Sequence, residues 1–247
     1  MRRIFRPPLA DAVQKDLDRR QTAANAKRAS GTLRPSDEWN LARRTRTLRS
    51  VHSALRRMMG DRERCMYCLD SHGSDIDHFW PKTPFPERMF RWPNLLLCCT
   101  ECGRCKGDTP PVDERGALVL IDPTTEEPWD HLDFDPATGN LVARFDARSQ
   151  AYSQKGERTV EILHFDRREA LAACYRRTFR RLERTVSEFL ADGGPVTRLI
   201  NGLLEADDQG LLGWCLQGTG KHLPPFSDLA NNHPAAWASC LEALKGA

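Results

Sequence analysis

The sequence predicts an α+β fold, a small cysteine-organised β module flanked by helices, and three observations predict it. Six of the nine cysteines lie between Cys65 and Cys105. Apolar residues recur at helical spacing on both sides of that cluster. Between Cys65 and Asp108 the pattern changes to short extended pieces, proline-bearing turns and cysteine pairs, as in a module organised by metal. The division that follows is a basic helical arm at 1–60, the module with a following β-hairpin at 61–150, and a helical region at 151–247.

Residues 8–28 are predicted helical with a thin stripe at Leu9, Val13 and Leu17, broken at Ser30-Gly31-Thr32. A second helix is expected from Ser36, an N-cap residue type with Asp37 and Glu38 in the first turn, to before Gly60. Its stripe is Leu41, Leu48, Val51, Leu55 and Met58. After the module, Ala117–Ile121 predicts a buried strand, and Asp133-Phe134 with Leu141–Phe145 a hairpin. Residues 157–190 are predicted helical, with a capping-box pattern at Asp166 and Glu169 and a core stripe at Leu171, Cys174, Tyr175, Phe179, Leu182, Val186 and Phe189. The last fifty residues suggest two or three short helices, one carrying Ala236, Trp237, Cys240, Leu241 and Leu244.

With 40% hydrophobic and 29% charged residues, the composition suits a chain that buries a core and argues against disorder. The apolar run Leu95–Cys99 falls far short of the ~20 residues a membrane span needs. The basic opening Met1-Arg2-Arg3 leads into no apolar stretch, so a cytoplasmic protein with no membrane partner is expected. The net charge of +3 hides an asymmetry: residues 1–60 hold 15 Lys/Arg against 5 Asp/Glu, the remainder 22 against 29. A basic arm on an acidic body suggests a polyanionic partner, because lysine and arginine gain affinity by releasing counterions condensed on phosphates. Arg43, Arg44 and Arg46 are the candidate contacts; a solvated helix face is the alternative.

Cys65-Met66-Tyr67-Cys68 and Cys99-Thr100-Glu101-Cys102 supply four thiolates, the number a structural zinc site uses. The register is open, because Cys102 and Cys105 are also spaced Cys-x-x-Cys and Cys98 adjoins Cys99. Between the pairs lies Asp75-Ile76-Asp77-His78-Phe79-Trp80-Pro81-Lys82, then Asn94-Leu95-Leu96-Leu97. Adjacent Asp and His at a strand end suit two roles in one reaction: the carboxylate holds a hard cation such as Mg²⁺, and the imidazole takes a proton from water.

The run from Cys65 to Asp108 resembles the zinc-stabilised HNH, or ββα-metal, endonuclease family. The resemblance implies a ββα-metal core hydrolysing DNA, with His78 as general base, Asp77 as ligand of a catalytic Mg²⁺ or Mn²⁺, and Asn94 tying down the loop that orients the base. It also implies Cys99 and Cys102 as the second zinc pair, and Lys82 and Lys106 as phosphate contacts. One position departs from the pattern: the residue after the last zinc cysteine, a metal ligand in the family, is Gly103 here, leaving water or a neighbour such as Asp108 to complete the metal sphere. Over residues 50–190 the order of features is similar to the HNH proteins of bacterial anti-phage defence islands, as in Septu-type and retron-associated systems, which implies an ABC-type ATPase partner. The competing expectation is a non-catalytic zinc module that binds nucleic acid or a partner protein.

Overall fold

The computed structural model describes residues 1–109 and 111–245. It is α+β, with ten α-helices and three two-stranded antiparallel sheets among the described residues. The chain forms two compact units, Ile4–Thr125, and Met1–Arg3 with the chain from Glu126 onwards. The basic helices and the cysteine module thus share one unit, and the hairpin expected beside the module groups with the C-terminal helices.

The first unit opens with α1 (Asp11–Ala29), α2 (Pro35–Ala42) and α3 (Arg46–Met58). Asp11 at the start of α1 and Lys27 and Arg28 at its end complement the helix dipole. The single helix expected from Ser36 to Gly60 is two helices. Thr45 Oγ1 donates to the Ala42 carbonyl at 2.7 Å, closing α2, and Thr45 is extended ahead of α3. Leu41, expected on the buried stripe, consequently lies 67% exposed, whereas Leu48, Val51 and Leu55 are buried as their spacing predicts. Pro35 occupies the first turn of α2, and Ser36 is not its cap.

The module follows as β1 (Asp75–His78), β2 (Leu95–Cys98) and α4 (Thr100–Lys106). β1 and β2 pair antiparallel, Asp75 opposite Cys98 and His78 opposite Leu95. β2 is buried along its whole length and packs on α3. Each of its three leucines contributes about 1.5–3 kcal/mol relative to an exposed position. The loop joining β1 to β2 is stitched from two sides. Gln21 of α1 donates to the Pro86 carbonyl at 2.9 Å and accepts from the Phe90 amide at 2.8 Å. The expected strand at Ala117–Ile121 is not assigned as a strand: Leu118–Ile121 are buried, and among the described residues the pairing there is a bridge between Val112 and Leu118 with backbone bonds from Val119 N to Pro111 O and Asp113 N to Ala117 O.

In the second unit, β3 (Leu132–Phe134) and β4 (Leu141–Ala143) make the expected hairpin. At its turn Gly139 has φ +83°, and a Cβ there would lie 2.3 Å from the Ala172 carbonyl oxygen, so glycine is required. A second, exposed ribbon, β5 (Phe145–Asp146) with β6 (Ala151–Tyr152), leads into α5 (Gln154–Leu163) and α6 (Glu169–Asp192). The helical stretch expected across 157–190 is two helices, the first ending at Leu163, where His164 adopts a left-handed φ of 54°. The cap of α6 is Arg168, so the Asp166–Glu169 capping box is not formed. The predicted stripe is nonetheless core: Leu171, Tyr175, Phe179, Leu182 and Val186 are buried. Four helices complete the described chain, where two or three were expected: α7 (Val196–Ala206), α8 (Leu212–Leu216), α9 (Phe226–Asn232) and α10 (Pro234–Lys245), the last burying Ala236 and Cys240.

Candidate functional site

The four cysteines come from two turns that β1 and β2 bring together. Backbone bonds from Cys65 N to Ser71 O and Leu69 N to Cys65 O close the first turn, helped by a left-handed Leu69. Cys99 caps α4, its sulfur accepting from Cys102 N at 3.4 Å. The ligand atoms of Cys65, Cys68, Cys99 and Cys102 all lie within 4.8 Å of one another and all four residues are buried. Zn–S bonds of about 2.3 Å in a tetrahedron separate sulfurs by about 3.8 Å; Cys68 and Cys99 sulfurs are 4.0 Å apart. The cluster can hold a metal such as zinc, and the open register closes on Cys99 and Cys102. Cys98 instead turns its thiol to the Cys99 carbonyl, 3.2 Å away. Thiol donors led by Cys102 pull the Cys68 thiol well below its ordinary pKa, and burial pushes that of Cys65 well up.

Successive residues of β1 point to opposite faces, so Asp77 and His78 meet different surroundings. The His78 ring is buried, edge-on to Trp39 of α2 with centroids 4.2 Å apart. Its Nε2 lies 3.0 Å from the Met89 carbonyl, which only accepts, so Nε2 carries the proton and Nδ1 keeps its lone pair. Burial, reinforced by the Lys82 ammonium and offset by the Met89 carbonyl, lowers the imidazole pKa to about 3. The ring is therefore a neutral base at physiological pH.

Asp77 faces Tyr67 and Lys106. The Tyr67 hydroxyl donates to Asp77 Oδ2 at 2.7 Å, and Lys106 Nζ lies 3.2 Å from the same oxygen and 2.7 Å from the His78 carbonyl. Lys106, expected as a phosphate contact, is buried with 2% of its side chain exposed. Asn94 sits behind the site. Its Oδ1 accepts from the Trp80 amide at 2.7 Å, and its Nδ2 donates to the Trp80 and Arg88 carbonyls at 3.0 Å each, so its side chain secures the ends of the β1–β2 loop.

An open cleft of about 580 Å³ runs along this edge, lined by Asp77, His78, Lys82, Gly103, Lys106 and Asp108 together with Trp39 and Asn40 of α2 and Arg43 just after it. Lys82 approaches Asp108 at 3.9 Å and Arg43 approaches Asp75 at 3.2 Å, so these two basic rim residues each have an acidic partner. Arg44 and Arg46 are exposed and do not line the cleft. Several other basic residues of the arm are spent within the fold, Arg28 on Glu87 and Arg6 on the Trp92 carbonyl.

No family model matches the chain. A stretch of 113 residues does align with a curated protein. The chain is similar to the Septu protein PtuB of Bacillus thuringiensis. Identity is 28%, over 44% of this chain and 38% of PtuB, so the similarity spans well under half of the relative's length. No helix among the described residues is long and apolar enough to cross a membrane.

Two side chains at the site escape the sequence patterns. Tyr67 lies inside the first cysteine pair, and that position held the one available hint that it faces the same centre. Trp39 reaches the site through the packing of α2, which no local spacing announces; Lys106, expected from the sequence as a phosphate contact, is seated on Asp77 and the His78 carbonyl instead.

Proposed function

We propose that the chain is a metal-dependent HNH-type endonuclease that hydrolyses DNA phosphodiester bonds, the nuclease component of a Septu-like anti-phage defence system in the bacterial cytoplasm. The observation that carries this reading is the Asp77–His78 pair at the end of β1, opening with Lys82 and Arg43 onto one cleft beside a buried four-cysteine cluster. The order of strand, strand and helix around that cluster supports a ββα-metal core, and the similarity to PtuB supports the defence role. On this reading an ABC-type ATPase is the partner protein, and Cys65, Cys68, Cys99 and Cys102 hold structural zinc.

The donor set suits a hard cation, with the carboxylates of Asp77 and Asp108 on one cleft. Mg²⁺ or Mn²⁺ bound there neutralises charge on the phosphate and the leaving oxygen. The protein's own steps follow from its geometry. His78, held by Met89 and Trp39, takes the proton of the attacking water at Nδ1. Asn94 keeps the ends of the loop that carries Met89 in place. Lys82 and Arg43 exchange their acidic partners for phosphate oxygens, and Arg44 and Arg46 extend that contact along the backbone.

A non-catalytic binding module is the second reading, favoured by Lys106 already seated on Asp77 and by Gly103 offering no ligand. Nicking of supercoiled plasmid with Mg²⁺, Mn²⁺ or EDTA separates the two. Cutting that EDTA stops supports the nuclease; binding without cutting under either metal supports the module.

A further inference from the structure

Lys106 is one of the few charged side chains sealed inside the protein among the described residues, and its place is specific. Removing an ammonium from water is costly unless it is well paired. Here its partners are the two groups on which the proposed chemistry rests: the Asp77 carboxylate at 3.2 Å and the His78 backbone carbonyl at 2.7 Å. Tyr67, fully buried, donates to the same Oδ2 at 2.7 Å. Asp77 Oδ2 is thus engaged by a charge and a hydroxyl. Oδ1 is only grazed by Lys106, at 3.5 Å, and is the oxygen left for a ligand entering the cleft.

Resting on the nuclease reading, we propose that Lys106 is a positioning residue that fixes the Asp77–His78 strand end and, with Tyr67, restrains Asp77 to weak, one-oxygen binding of a divalent cation. The ammonium neutralises most of the carboxylate's charge and repels an incoming cation. Lys106 and Gly103 lie on α4, three residues apart, so the helix that lacks a third ligand also carries the competing charge. Occupancy of Asp77 by metal is then set by the free cation concentration, and the same lysine keeps the catalytic strand ordered when no cation is bound.

The test is Mn²⁺ binding followed by electron paramagnetic resonance on the full chain, for the parent, Lys106→Met, Lys106→Arg and Tyr67→Phe, with zinc content as the control for folding. Lys106→Met is expected to bind Mn²⁺ tighter by on the order of tenfold or more, the size produced by deleting a like charge a few Å away. Lys106→Arg, which keeps the charge, should stay near the parent, and Tyr67→Phe should tighten binding by a smaller factor. In the nicking assay Lys106→Met should lower the metal midpoint and also the maximal rate, because the His78 carbonyl loses its anchor. Unchanged or weaker Mn²⁺ binding in Lys106→Met that retains zinc overturns the proposal. If Lys106→Met loses zinc, Tyr67→Phe decides by the same criterion. The binding arm does not depend on cleavage: a charge-dependent shift in Mn²⁺ affinity in a protein that cuts nothing upholds the role of Lys106 at Asp77 and discards the nuclease reading alone.

Discussion

The His78 imidazole and the Met89 carbonyl are joined at 3.0 Å through Nε2, which fixes the ring's tautomer and orientation from a loop eleven residues away. Since the ring also packs against Trp39, His78→Ala would open a void as well as remove the base. His78→Gln is the cleaner probe. Its nicking rate should fall by about 10²–10⁴-fold, the usual worth of a general base, while zinc content stays at the parent's level. Parent-like cutting by this variant would remove His78 from the mechanism.

The lowered pKa of His78 gives a pH dependence with a definite sign. Its folded value, about 3, lies below the ordinary imidazole value of 6.5. The unfolded chain therefore takes up a proton that the folded chain refuses. The stability associated with the neutral ring is fully present above pH 6.5 and is lost as pH falls toward 3. Between pH 7 and pH 5 the parent's Tm should drop more than that of His78→Gln. Parallel Tm profiles would contradict the buried neutral ring.

Convergence of four buried sulfurs predicts about one zinc per chain. Replacement of Cys65, Cys68, Cys99 or Cys102 by Ser should cost zinc and cooperative unfolding together, because β1, β2 and α4 are joined at that cluster. Replacing Cys98, whose thiol faces the Cys99 carbonyl, by Ala should retain zinc. Metal analysis of purified protein decides: less than half an equivalent in well-folded parent rules out the clamp.

DNA affinity should fall steeply with salt. Arg43, Arg44 and Arg46 changed together to Gln should flatten the log–log slope by about 0.9 for each phosphate that is no longer neutralised. Arg43 starts from a pair with Asp75, so its single replacement should have the weakest effect of the three. A slope that does not move assigns these arginines to a protein partner or to solvent.

Gly103 has room for a side chain: the nearest atom to a Cβ placed there is the Cys98 sulfur at 3.6 Å, an ordinary van der Waals separation. Gly103→Asn should therefore fold, retain zinc and lower the metal concentration at half-maximal nicking by supplying a ligand on the cleft wall. Half-saturation of the parent already at micromolar metal would instead point to Asp108, on the same cleft, as the existing ligand.

The sequence by itself determined the parts of this protein that depend on short spacings. Two cysteines three apart on one turn converge whatever surrounds them, so the clamp was legible in Cys65, Cys68, Cys99 and Cys102 once the register was chosen. Helical stripes such as Leu48–Val51–Leu55 and Leu171–Tyr175–Phe179 were legible for the same reason, since periodicity is local. The break at Thr45 was not, because a single side-chain bond ends a helix without disturbing the hydrophobic pattern on either side. The candidate site divides along the same line. Asp77 and His78 were readable as a pair, but only the tertiary structure decided that one faces Tyr67 and Lys106 and the other Trp39 and Met89. Charge alone sends a lysine such as Lys106 to solvent. Its ammonium reaches β1, held by a carboxylate and a carbonyl that lie nearly thirty residues away in the chain and 3.2 and 2.7 Å away in space.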